Sequence, residues 1–159
     1  MYKSHSIKRL VKEYTNFNYI ELNLKNFEYK IVNIENDINN YIVYINFEYK
    51  NKNYVVNIIY KNNYPFNPPS NIILNRENFK IIYREIMKNN SDIIKNCLCC
   101  DSFLCNNKWS CCVTINDLIK EVLLVIYYKE LYIKRIILNQ IIKKYTNQNM
   151  DYLHYYLLI

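Results

Sequence analysis

The chain of 159 residues contains no glycine and no alanine, and it holds only three prolines and one tryptophan. Without glycine a phosphate-cradling loop of the usual glycine-rich kind is excluded, since the backbone could not approach a phosphate so closely. At the polar breaks Glu35–Asn40 and Lys50–Asn53, asparagine tolerates the left-handed conformation that glycine would normally supply. Long apolar runs are also lacking. Val122–Tyr128 is the longest near the C-terminus, far short of the roughly 18 residues that a membrane-spanning helix needs. The start, MYKSHSIKRLVKEY, has no apolar signal core, so secretion is not expected. Cysteine is absent everywhere except one short segment, where all six lie between Cys97 and Cys112. A secreted disulfide framework would spread its cysteines to staple distant segments; this crowding suits free thiols in a reducing compartment, cytoplasmic or nuclear.

What is present points to a folded domain. Apolar residues make up 51% of the chain, and its length allows a real core without staples. The formal net charge is +7. Lysine outnumbers arginine, and asparagine, isoleucine and tyrosine abound, as AT-rich codons dictate, so the basic balance alone does not argue for nucleic-acid binding. Basic residues are scattered, and no base-stacking motif accompanies them, so a nucleic-acid module is the weakest reading.

Ser6–Tyr14 spaces Ile7, Leu10 and Val11 as a helix does. From Tyr19 to Tyr60 the chain is rich in β-branched and aromatic residues, broken at Glu35–Asn40 and Lys50–Asn53, which reads as a three-stranded meander. All three prolines then fall within KNNYPFNPPSNIIL, a stiff extended crossing before a fourth strand at Asn71–Leu74. Phe79–Lys88 is ambiguous, although Phe79, Ile82, Tyr83 and Ile86 suit a helix. Thr114-Ile115-Asn116-Asp117 matches a capping box, opening a long helix that continues to about Tyr145, before the apolar tail DYLHYYLLI. The expected fold class is α+β, with a core over residues 1–130 and a helical C-terminal extension, 131–159, packing on the same domain.

The order of these motifs resembles the ubiquitin-conjugating enzymes. NYPFNPP is similar to that family's YPFxPP turn, WSCCVTINDLIKEV to the W-S-P-x-x-T-I segment opening its central helix, and KRLVKEY to its first helix. The resemblance covers roughly residues 6–128. It implies the ubiquitin-conjugating fold: an N-terminal helix, a four-stranded antiparallel meander, a central helix and, here, a divergent helical tail. It also implies an activity, the carriage of ubiquitin or a ubiquitin-like modifier as a cysteine thioester and its transfer to lysine. Partners would be the modifier, an activating enzyme and a ubiquitin ligase, with no membrane and no cofactor.

The departures are specific. No His-Pro-Asn triplet precedes the cysteines, Pro69 and Cys97 stand 28 positions apart, which is long for the family, and Cys111 replaces the proline after Trp-Ser. Such departures fit a divergent viral or protist member, or an inactive variant that binds ubiquitin or a ligase without carrying a thioester.

The family's nucleophile is a thiolate, strong in attack and a good leaving group. Cys100, in Cys-Asp-Ser-Phe-Leu nine positions before Trp109, is favoured over Cys97. Asn89, eight positions before Cys97, stands where the oxyanion-stabilising asparagine would fall, and Asp101 or Ser102 could position the acceptor lysine. The resemblance assigns Lys8, Arg9 and Lys12 to the activating enzyme, and Phe66 with Cys111 to the ligase face; read bare, the cations are a solvated helix face. Trp109 is most simply a core aromatic. Cys97, Cys100, Cys105 and Cys111 or Cys112 form a lesser alternative, a structural zinc site with irregular spacing. His5 and His154 lie near the termini and outside the cysteine segment, which leaves them no general-base or metal role.

Overall fold

The computed structural model describes residues 5–34, 37–61, 63–89, 102 and 108–145. The chain is α+β: helix α1 (His5–Thr15), a 3-10 turn (Tyr19–Leu22), strands β1 (Lys25–Ile34), β2 (Asp37–Tyr49), β3 (Lys52–Tyr60), β4 (Asn71–Leu74) and β5 (Glu77–Asn78), then helices α2 (Phe79–Asn89) and α3 (Ile115–Tyr145). The five strands form one antiparallel sheet in sequence order.

Alternation builds the core. Tyr41, Val43, Ile45 and Phe47 of β2 are buried, and β3 sets Tyr60, Ile58, Val56 and Tyr54 directly opposite them. β4 continues that face, with Ile72 against Ile58 and Leu74 against Val56. Intervening residues such as Tyr44 and Val55 are exposed, so one face of the sheet is covered. Covering it are Leu10 and Tyr14 of α1, Phe79, Ile82, Tyr83 and Ile86 of α2, and Leu118, Ile119, Val122 and Val125 of α3. The apolar spacing of Phe79–Lys88 thus resolves as helix, and this helix occupies much of the chain that lengthens the interval from Pro69 to Cys97.

Six described residues carry positive φ, and four are asparagines: Asn23, Asn26, Asn51 and Asn75, beside Lys50 and Arg76. Asparagine therefore takes over glycine's role in the turns, because its short polar side chain tolerates the left-handed region. Lys50 and Asn51 together close the β2–β3 hairpin, the paired positive φ that a two-residue hairpin requires.

Three expectations are corrected. The sheet has five strands rather than four, because Asn75 and Arg76 turn the chain back so that Glu77 pairs with Leu74; two residues are too short to show a period of two. Tyr19–Leu22 is a 3-10 turn instead of the start of the first strand, with Asn18 bonded to Glu21 (3.0 Å) and Asn23 left-handed at its end. The first hairpin break is shorter than Glu35–Asn40, since β2 begins at Asp37.

The carboxylate half of the capping box is present. The Thr114 N–H donates to Asp117 Oδ2 at 2.9 Å and its hydroxyl to the same oxygen at 2.8 Å, and α3 starts at Ile115. From there α3 runs unbroken past residue 130 to Tyr145, tied to the sheet by Lys129–Glu77 (2.6 Å) and Lys52–Glu130 (2.8 Å). Among the described residues, no helix is long and apolar enough to cross a membrane.

Tyr14, Tyr60, Tyr64 and Tyr83 are buried, and that burial is the main reason their phenol pKa values rise above the ordinary 10.0. A folded-state pKa above the unfolded one gives stability that is whole below pH 10.0 and is lost as pH climbs toward the native values. In an alkaline titration these four phenols should ionise only together with loss of the circular dichroism signal. Tyrosinate absorbance that accounts for all the tyrosines while the signal stays native would contradict this packing.

Candidate functional site

The proline turn, residues 63–66, is fastened from two sides. From α1, the buried Ser6 hydroxyl donates to the Tyr64 carbonyl at 2.7 Å. The Tyr64 hydroxyl donates to Glu13 Oε2 at 2.8 Å, while Arg9 bonds Glu13 Oε1 at 2.5 Å and lies 5.5 Å over the Tyr64 ring. From the other side, the Trp109 indole N–H donates to the Pro65 carbonyl at 2.7 Å. Beneath the turn, Tyr60 meets the Tyr64 ring edge-on at 4.6 Å and its hydroxyl lies 3.1 Å from that of Tyr14. Stiff residues and these bonds fix one loop conformation.

The result is an outward Phe66, 80% exposed, although a phenylalanine buried in the turn would have been ordinary packing. Beside it runs the 109–113 segment, which begins at Trp109 and returns to α1 through Arg9 Nη2, donating to the Val113 carbonyl at 3.3 Å. Cys111 and Cys112 on this segment are exposed free thiols, and Ser110 orders it by accepting the Cys112 N–H at 3.2 Å.

The three cations have different fates. Lys8 and Lys12 are exposed, as a docking face requires. Arg9 is half-buried and spent within the fold; burial lowers its pKa, but the Glu13 carboxylate outweighs this and raises it. Past Lys12, a cavity of about 550 Å³ opens between α1, the 3-10 turn and the first residues of α3, floored by Phe17 and Ile115.

Ser102, between Cys100 and Cys105 in sequence, is among the described residues of the cysteine segment. Ser102 is buried, and its hydroxyl donates to Glu121 Oε1, which also accepts from the Tyr83 hydroxyl at 2.5 Å. Glu121 is itself only 7% exposed, so α2, α3 and Ser102 converge on one buried carboxylate. The buried Tyr83 phenol, held above its ordinary pKa first by burial and then by Glu121, stays a donor. Cys97, Cys100, Asp101 and Cys105 lie outside the described residues, as does the side chain of Asn89, whose backbone ends α2. Three of the four thiols weighed for zinc are therefore outside, and among the described residues no cluster of three metal-ligating side chains occurs.

Glu121 was not singled out in the sequence, where a glutamate reads as solvent-facing. Its signal is positional: it stands three residues after Leu118 and four before Val125, on the buried stripe of α3.

Replacing Glu121 by leucine removes the carboxylate that accepts from both hydroxyls and should lower stability by about 3 kcal/mol; Tyr83→Phe, which removes one donor, should cost about 1.5 kcal/mol. Urea unfolding with an unchanged slope checks both. A Glu121→Leu chain as stable as the wild type would contradict the role given to this carboxylate.

No family model, no curated protein and no solved structure matches this chain in the three comparisons made.

Proposed function

We propose that this chain is a divergent ubiquitin-conjugating-fold protein that accepts ubiquitin or a ubiquitin-like modifier as a cysteine thioester and passes it to lysine. One observation supports the reading above the rest. The two motifs that carry the resemblance, the proline turn and the tryptophan segment, stand 44 residues apart in sequence yet are joined by the Trp109–Pro65 bond. The turn carries an exposed Phe66, the tryptophan segment an exposed Cys111, and α1, which is bonded to the turn through Ser6 and Glu13, carries exposed Lys8 and Lys12. Such a face suits successive docking of an activating enzyme and a ligase.

The chemistry is two exchanges at one carbonyl. A cysteine thiolate, Cys100 in preference to Cys97, attacks the thioester carbonyl at the modifier's C-terminus, and the activating enzyme's thiolate departs. A lysine amine then attacks the new thioester, the cysteine thiolate leaves, and an amide forms with loss of the amine proton. Ser102, bonded to Glu121, would seat the chain two positions beyond Cys100. No resident cofactor enters these steps.

The absence of His-Pro-Asn favours a second reading, an inactive member of the same fold that binds ubiquitin or a ligase through this face. The helix that precedes the cysteines ends at Asn89, and a donor to the oxyanion would have to come from its end or from another group.

A non-reducing gel separates the two. Purified protein, ubiquitin, activating enzyme and ATP should give a thiol-sensitive band heavier by one ubiquitin, lost in Cys100→Ala and kept in Cys97→Ala. Phe66→Ala should keep the band and slow ligase-stimulated transfer. If no band forms although the activating enzyme is charged with ubiquitin, and none forms with other ubiquitin-like modifiers, the inactive reading stands in its place.

A further inference from the structure

A further cavity, of about 450 Å³, lies along the proline crossing, between the residues that lead from β3 into β4 and the start of α2. That volume is within the range of small-ligand sites. Its apolar part comes from Ile72 and Phe79, both buried. The walls are fixed before any ligand arrives. Pro68 and Pro69 restrict the crossing. The Ser70 N–H and hydroxyl both donate to the Ile59 carbonyl, at 2.8 and 3.1 Å, and the Lys80 N–H donates to Asn78 Oδ1 at 2.9 Å. Binding to such a site loses little free energy to ordering.

Charge and donor type select the ligand. Lys61 and Lys80 line the cavity, both are exposed, and neither side chain has a partner among the described residues. No carboxylate lines it among the described residues, and the first turn of α2 carries no acid. Glu77, the acid nearest Lys80 in sequence, is already held by Lys129 at 2.6 Å. The cavity beside α1 differs, since Glu13 and Glu21 stand there with Arg9 and Lys12 and balance their charge. Asn63, Asn67 and Asn71 add neutral amide donors. Two unspent ammonium groups and three amides match a phosphate monoester, which carries a charge of about −1.5 to −2 at neutral pH and three strong acceptor oxygens. A monocarboxylate would neutralise only one of the lysines. Side chains thus supply what a glycine-rich loop draws from its backbone N–H groups, in a chain that has no glycine.

We propose that the cavity between the proline crossing and α2 binds a phosphate monoester, held by Lys61 and Lys80 and oriented by the amides of Asn63, Asn67 and Asn71. This site does not depend on thioester chemistry.

The probe is N-acetyl-O-phosphoserine amide, titrated into the isotope-labelled full chain while backbone amide shifts are followed by NMR. Saturable shifts should gather at Asn63, Asn71 and Lys80, and binding should weaken as salt rises. N-acetylserine amide and acetate, at matched ionic strength, should give none. The Lys61→Gln, Lys80→Gln double variant alters exposed side chains, so its thermal melt should match the wild type while its affinity for the probe falls about tenfold or more. Lys61→Arg with Lys80→Arg keeps the charge and should keep binding. Absence of a saturable shift, an equal response to acetate, or undiminished affinity in the glutamine variant would overturn the proposal. Two further titrants distinguish the sources of the group, and each outcome supports the site. Inorganic phosphate binding as tightly as the probe would point to free phosphate or a small ester. A short peptide carrying one phosphoserine and binding at least about tenfold more tightly would point to a phosphorylated protein segment.

Discussion

Tyr64 is held at its carbonyl by Ser6, at its hydroxyl by Glu13, over its ring by Arg9 and along its edge by Tyr60. The rest of the candidate site follows from that fastening. The residue belongs to the loop between β3 and β4, and its partners come from α1 and from the end of β3. Loop, helix and sheet are therefore joined at this one residue. With Tyr64 in place, Pro65 presents its carbonyl to Trp109, Phe66 has nowhere to go but outward, and the 109–113 segment is drawn back toward Arg9. Burying four phenols and a glutamate is tolerable because nearly every one is bonded to another member of the group.

Two polar centres divide the labour. Around Tyr64 the hydroxyls and charges order a surface, which ends in exposed side chains suited to partners. Around Glu121 they order an interior, where Tyr83 and Ser102 reach one carboxylate from different parts of the chain. The second centre ties Ser102 to α3, the element whose start is set by the Thr114–Asp117 cap.

Legibility in the sequence tracked the length and purity of each pattern. The spacing of Phe79, Ile82, Tyr83 and Ile86, the alternation in β2 and β3, and the Thr114–Asp117 cap were all readable, since each repeats a local rule. β5 was not, because a two-residue strand exists only through pairing with β4. The 3-10 turn was hidden under the β propensity of Tyr19 and Ile20, which tertiary context overrode. Arg9 was read as a docking cation, yet its partners Glu13, Tyr64 and Val113 are a mixture of near and distant residues that no single stretch reveals. At the Lys50–Asn53 break the expected left-handed asparagine stands at Asn51, while Asn23, Asn26 and Asn75 take that conformation at turns no local pattern marked.

The central claim is that Trp109 and α1 together hold the turn as a fixed platform. Amide hydrogen exchange at Phe66, whose N–H is bonded to the Asn63 carbonyl at 2.8 Å, tests it most directly. In Trp109→Phe, which keeps an aromatic ring and removes the indole N–H, exchange at Phe66 and at Val113 should both quicken, while Ile45 in β2 stays protected as in the wild type. Unchanged exchange at Phe66 and Val113 would mean that the two segments are ordered independently, and that the platform is not one unit.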